Sequence, residues 1–538
     1  MSAGTLYRNG SVLTLGNAAP RAAALATHGS RIIAVGAEAQ CRAALRSAGV
    51  HQVEEVNLAG ACLLPGFIDT HLHPIGLLYF DMHADLRGVD SIAAVQARLR
   101  DAAARLQEDE WLVGLQLEDA DLAERRLPTR QELDAACASH PVVVMKHDGH
   151  SACGNSLALA AAGIDARSAD PPGGQIERDA DGAPNGVCRE AAAQRLFGAV
   201  PSPGLARLTA TADRTFARLA AHGITAIGAI LQTDEEGPGG ASGRLESMAM
   251  QVLLAQAPFS IYSILIGRTV EGAVAARQSP LHDPAAGHRV GGFKIFSDGT
   301  FGSCTACMHE PFSDRPEARG YMTLGEDEIL ARMRAAHDAG LQICVHAIGD
   351  AAVERCVALF EQLLAERPRD DHRHRLEHAS LVAPALVPRL RRLGLVVSTQ
   401  PLFIHSEKHW LHRRLGPERA RYTYPLRSLV EAGIVVAGAS DAPVESTDVL
   451  HAIQCCVTRE GFETHEALTP EQALRLFTRD AAWAQFAERE MGTLAPGKRA
   501  DLVVLSDDPL RVAPERIGAL RVLRTVCGGR LTHDGGLR

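Results

Sequence analysis

Between about residues 60 and 485, short apolar runs alternate with helical stretches rich in Ala, Leu and Arg, and this alternation restricts the fold more than any other feature. The runs include 142–145, 224–227, 261–265, 292–296, 341–345, 395–398 and 434–437, with helical stretches at 91–107, 206–221, 326–339 and 351–366. Strand–helix alternation of this length predicts parallel βαβ units, and eight such units close a barrel. The runs outnumber eight, so an insertion is expected within 105–220. Both termini read as β. Residues 5–15 predict a hairpin turned at Asn9-Gly10, and 31–35, 500–505 and 522–526 are strand-like between glycine-rich turns. Residues 234–240 predict a mobile loop.

The totals exclude several classes of function. A chain of 538 residues with 46% hydrophobic and 22% charged residues has ample core material for a large globular enzyme. Its net charge of −9, spread along the chain, argues against nucleic acid or an anionic membrane as partner. No apolar run is long enough to cross a bilayer. Residues 1–16 lack a basic segment followed by an apolar one, so no secretory signal is expected. The 12 cysteines have no disulfide-like spacing, which fits reduced thiols and a cytoplasmic location. Cys304 and Cys307 form a lone CxxC, read as structural.

Chemistry in a closed parallel barrel gathers where strands end. The apolar run 63–68 leads into Asp69-Thr70-His71-Leu72-His73-Pro74. Residues two apart on a strand share a face, so His71 and His73 project together with Asp69 one step below. Pro74 ends the ladder. Two adjacent imidazoles are half of a tetrahedral metal site. The run 341–345 is followed by His346, His378 follows Glu377, and 434–439 leads to Ser440-Asp441; Lys294 lies between apolar neighbours inside 292–296. Taken alone, His346 or His378 reads as a core histidine, Asp441 as a helix cap and Lys294 as a stem reaching water. Taken together, four histidines and an aspartate available to one rim point to metal binding.

The segments LPGFIDTHLHP, GFKIFSDGTFGS, VHAIGD, RLEHA, SDAPV and MGTLAPGKRADLVVL resemble the amidohydrolase superfamily, and its amidohydrolase-3 branch in particular. The similarity includes the opening LYRNGSVLTL and the segment APNGVCREA, and so runs over nearly the whole chain. The resemblance implies an α/β fold: a (β/α)8 TIM-like barrel over 61–485 and a small β-sandwich built from 1–60 and 486–538. It also implies a centre of two divalent metals, zinc first, although such ligands also accept Mn, Fe or Ni. His71, His73 and Asp441 would hold one metal, His346 and His378 the other, with Lys294 bridging as a lysine carboxylated by CO2. Flanked by Phe293 and Ile295, that lysine is expected to have a lowered pKa, which favours the neutral amine that CO2 needs. The alternative is a plain lysine beside one metal.

The implied reaction is hydrolysis of a non-peptide C–N bond in a small amide, N-formyl or N-acyl compound or cyclic amide, through a metal-bridged hydroxide. Asp441 would act as general base and then general acid. The alternatives are a mononuclear deaminase of the same superfamily and a non-catalytic binding protein on the same barrel. His150, in a segment like the family's, would polarise the substrate, with an ordinary loop histidine as its plain reading. Asp298, Gly299, Ser303 and Glu377 are expected to orient ligands from behind, and Gln400 and Pro401 to line the pocket. Glu190 has no assigned role. His405, His409 and His412, spaced as on one helix face, read as pocket rim or solvent. Cys304 and Phe312 stand where relatives often carry Arg and Tyr, so substrate preference does not carry over. The expected partner is a small molecule, with homo-oligomers open.

Overall fold

The computed structural model describes residues 4–16, 20–108, 110–146, 151–233 and 243–537, with the backbone alone for 243–248. The loop expected at 234–240 lies outside the described residues. The chain divides into two compact units, one of Met1–Ile75 with Phe216–Arg538 and one of Gly76–Thr215.

The first unit contains eight parallel strands: β1 (Phe67–Leu72), β2 (Ile224–Gln232), β3 (Ser260–Ile266), β4 (His288–Phe296), β5 (Gln342–Ala347), β6 (Arg375–His378), β7 (Val396–Thr399) and β8 (Val436–Gly438). They pair in chain order from β1 to β8. Most are buried along their whole length, which is why they read as unbroken apolar runs. Alternate residues turn inward: Ile68, Ala226, Val396 and Ala437 pack with Ala481, Ala482 and Met491.

No ladder joins β8 back to β1 among the described residues. Instead, hydrogen bonds stitch the gap. Thr70 Oγ1 donates to Gly438 O at 3.0 Å, and the Asp441 N–H to His71 O at 2.8 Å. The His73 N–H donates to Ala442 O at 2.8 Å, and the Ser440 N–H to Asp69 Oδ1 at 3.1 Å.

Two further sheets in this unit come from the chain ends. Arg31–Gly36, Ala24–His28, Gly4–Arg8 and Val53–Asn57 form one; Arg530–Asp534, Val522–Cys527, Leu502–Leu505, Cys62–Pro65, Ser11–Leu13 and Arg21–Ala22 form the other. Tyr7, Leu25 and Ile32 from the first sheet share an apolar cluster with Val12, Leu63, Leu502 and Val504 from the second. The expected hairpin at 5–15 does not form. Gly4–Arg8 pairs in the first sheet and Ser11–Leu13 in the second. Gly10 lies against Ala61, where a Cβ would come within 2.5 Å of the carbonyl oxygen. The Asn9-Gly10 turn therefore carries the chain from one sheet to the next.

The second unit is built on a mixed sheet of Gly174–Arg178, Pro184–Glu190, Ser151–Gly154, Val142–Lys146, Leu112–Leu117 and Ala84–Asp85. Leu112, Val142, Val144 and Cys153 pack on one face, and Val113, Leu115, Val143 and Ala152 on the other. Burial on both faces explains why 142–145 reads like a barrel strand although it belongs to this sheet.

Candidate metal centre

His71 is the last but one residue of β1 and is fully buried; His73 follows on the same face, partly exposed. His346 lies in β5, His378 ends β6, and Asp441 follows β8. Asp441 Oδ1 lies 3.2 Å from His73 Nε2 and 3.3 Å from His71 Nε2. Lys294 Nζ, buried in β4, is 3.4 Å from the same His71 nitrogen and stands over the Phe296 ring. The rings of His71 and His378 are 5.2 Å apart and those of His346 and His378 4.5 Å. Ligand atoms of His71, His378 and Asp441 all lie within 4.8 Å of one another. The structure thus brings His71, His73, Lys294, His346, His378 and Asp441 to one end of the barrel.

The neighbours set the tautomers. His71 Nδ1–H donates to Glu377 at 2.6 Å, and His378 Nδ1–H to Gln400 Oε1 at 2.8 Å, which leaves Nε2 of each ring with its lone pair. His346 Nε2–H donates to Gly299 O at 3.1 Å, so its free nitrogen is Nδ1. Burial, reinforced by Lys294, lowers His71 to about 4 and His346 to about 3. Burial also holds His378 well below its ordinary value, with His346 adding to the effect. Neutral imidazoles are the ligating form. Burial lowers the Lys294 amine, too. Burial alone would raise Asp441, yet His71, His73 and His378 hold it below the usual carboxylate range. His378 (φ +71°) and Asp441 (φ +58°) both adopt the left-handed backbone region, which non-glycine residues occupy at a cost.

The supporting residues separate into those that hold side chains and those that hold backbone. Glu377 holds His71 and Gln400 holds His378. Asp69 instead accepts the N–H groups of His71 and Ser440 at 3.2 and 3.1 Å, and burial pushes it up to about 6. Asp298 accepts the N–H groups of Cys307, Ile348 and Gly349, pinning the chain after β5; burial pushes it up to about 7. Its Oδ1 is 3.5 Å from His346 Nε2. Ser303 is exposed and bonds Thr300 and Thr305, not a ligand. His150 lies outside the described residues. His405 and His412 do not share one helix: Leu402–Glu407 and Leu411–Leu415 are separate, and the two side chains bond Glu460 and Glu463.

Sequence reasoning missed Arg375. Fully buried, it pairs with Glu377 at 2.7 Å and donates to Thr70 O at 3.0 Å. The visible signal was an Arg two residues before Glu377 on one strand, hence on one face.

Buried lone pairs of nitrogen beside a carboxylate and a lysine suit a divalent metal of the zinc type, so the donor set fits the implied ion. A parallel barrel that gathers such residues at its strand ends is the architecture of enzymes with a metal centre there. The chain belongs to the amidohydrolase family, whose model matches residues 54–533. It is 30% identical over 501 residues to the amidohydrolase-family protein YtcJ of Bacillus subtilis (strain 168), covering 90% of this chain and 92% of that protein. It is 28% identical over 537 residues to the N-substituted formamide deformylase of Arthrobacter pascens, covering 95% of each. Among solved structures, an uncharacterized metal-dependent hydrolase from Pyrococcus furiosus aligns at a TM-score of 0.75 and 26% identity, covering 94% of this chain and 100% of that one.

Proposed function

We propose that the protein is a metal-dependent hydrolase of a non-peptide C–N bond, with an N-formyl or N-acyl amine as the favoured substrate class. The observation that carries this reading is the set of buried, neutral imidazoles whose free nitrogens lie beside Asp441 and Lys294. The similarity to a formamide deformylase over 95% of both chains supports the substrate class. His71, His73 and Asp441 would hold one ion, and His346 and His378 a second, with Lys294 between them as a carboxylated lysine. Bound there, such ions supply Lewis acidity, which lowers the pKa of a water and polarises a carbonyl oxygen.

The chain's own residues do the rest. Glu377 and Gln400 keep the proton of His71 and His378 on Nδ1. Burial lowers the Lys294 amine and so favours the neutral form that reacts with CO2. Asp441 takes the proton of the attacking water at its carboxylate and delivers it to the leaving nitrogen, so that water and amide become carboxylate and amine. Asp441→Asn is expected to lower kcat about 100-fold or more. A single metal on His71, His378 and Asp441 with Lys294 as a plain amine is the second reading, favoured by the tight grouping of those three donors.

Metal content per chain, measured with and without bicarbonate, separates the two. Lys294→Ala is expected to hold fewer metals than wild type. An equal count in the two chains would overturn the bridged centre. Release of ammonia from amino-substituted heterocycles, with N-formyl, N-acyl and cyclic amides left intact, would move deaminase chemistry to the front. Absence of turnover on both sets of compounds by metal-loaded protein would overturn the hydrolase.

A further inference from the structure

A second cluster of ligating residues lies apart from the centre. His405 stands in the last turn of the helix Leu402–Glu407, which follows β7, and His451 in Val449–Thr458, which follows the Asp441 segment. Glu460 belongs to the turn Arg459–Gly461 just beyond. Its carboxylate lies between the two rings, 2.9 Å from His405 Nδ1 and 2.9 Å from His451 Nε2. The rings meet edge to face at 4.7 Å. Cys455, one helical turn after His451 and so on the same face, brings its Sγ within 3.3 Å of the same carboxylate. Lys408 forms an ion pair with it.

Two features set this group apart from an ordinary surface ion pair. First, the carboxylate is fixed in place: Arg459 and Glu460 both take the left-handed backbone region (φ +53° and +47°). The buried Arg459 guanidinium anchors that turn by donating to the carbonyls of Thr423, Tyr424 and Phe462. Second, the ligand atoms that lie within 4.8 Å of one another are two imidazole nitrogens and a carboxylate oxygen, and the Cys455 thiol adds a sulfur beside that carboxylate. That is the mixed set a borderline ion takes in tetrahedral geometry, and which magnesium or calcium would refuse. The side chains of His405 and His451 are 50% and 29% exposed, so an ion in solution can reach them.

We propose that His405 Nδ1, His451 Nε2 and the Glu460 carboxylate bind one zinc-type divalent ion, with Cys455 Sγ as the fourth donor. Binding releases the Cys455 thiol proton to solvent, and the Lys408 ammonium swings out to water on its flexible stem. The bound ion ties the segment after β7 to the segment after β8. The first carries Gln400, the partner of His378, and the second carries Asp441. The proposal stands whether the centre in the barrel holds one ion or two.

Cobalt(II) titration of the chelator-treated full-length chain tests it. Wild type is expected to take up one more cobalt per chain than His451→Ala or Glu460→Gln, with a thiolate-to-cobalt charge-transfer absorption. That absorption should vanish in Cys455→Ser, and the centre in the barrel, which has no proposed cysteine ligand, cannot produce it. Lys408→Met, which removes the competing cation, should tighten cobalt binding several-fold. Equal cobalt uptake by wild type and by His451→Ala or Glu460→Gln with native circular dichroism overturns the proposal. So does a wild-type chain without the thiolate band.

Discussion

Glu377 is the residue on which most depends. It accepts the His71 Nδ1–H and at the same time neutralises Arg375, and all three are fully buried. Replacing it by Gln should therefore act twice. Metal affinity should fall about 10–100-fold, as for other partners of ligating histidines. Stability should fall by about 3–5 kcal/mol, because Arg375 is left as an unpaired buried charge. Gln400→Leu, which loosens His378 without stranding a charge, should show the first effect with little of the second. Competition with a chelator and urea unfolding measure the two separately. The strand-end histidines, Lys294 and Asp441 were legible because each interrupts an apolar run, which a sequence displays directly. The Arg375–Glu377 pair was not, since burial of both charges depends on strands brought together from distant parts of the chain. Ser303 misleads for the opposite reason: its neighbours match a motif, but its hydroxyl is spent within its own turn.

At the scale of elements, the chain after β5 is held by contact rather than by propensity. Asp298 receives the Ile348 and Gly349 N–H groups just before the helix Asp350–Glu366. Gly349 fits there because it lacks a side chain: a Cβ would lie 2.0 Å from Cys307 O and 2.6 Å from its carbonyl carbon. Both obstacles are backbone and cannot rotate away. Gly349→Ala is expected to shift the chain after β5, lowering both Tm and the metal retained on purification. Gly325→Ala, at a cap with open space around it, should do neither. The barrel strands and their helices were readable because their periodicities differ over stretches long enough to count. The Asn9-Gly10 turn was not: the same dipeptide that closes a hairpin can pass the chain between sheets, and only contacts at Ala61 decide.

For the molecule as a whole, acid should be destabilising in a way that one histidine chain reports. The Ile343 N–H donates to His374 Nδ1 at 3.0 Å, so the ring proton lies on Nε2, which donates to His337 Nδ1 at 2.9 Å. The His374 N–H donates to His372 Nδ1, whose Nε2–H donates to Leu393 O. Each ring is neutral with its proton placed. A second proton on His374 would face the Ile343 N–H. Burial lowers all three below their ordinary value, and for His374 well below, with His372 adding to the effect. The unfolded chain therefore takes up protons first as pH falls below about 6.5. The stabilisation is complete above that value and declines as pH drops towards the folded-state pKa values. Urea midpoints should fall between pH 7.5 and 5, and less steeply in His374→Gln. Parallel profiles for the two chains would refute this assignment. The histidines of the centre, lowered in the same direction, add to the slope, as do His83, His222 and His288.

The gap between β8 and β1 has one more consequence. The bonds that cross it come from Asp69, Thr70, His71, His73, Gly438, Ser440, Asp441 and Ala442, the stretches that also carry proposed ligands. The wall of strands is thus finished by its working parts, and two arms of the chain far apart in sequence meet at the place where the chemistry would occur. The bonds made by His71, His73, Asp441 and Ala442 run from backbone to backbone, so a lineage that exchanged only the side chains proposed as ligands would keep its cylinder fastened. The architecture therefore outlives the chemistry, and the amides of His73 and Asp441 would stay slow to exchange with solvent after such a loss.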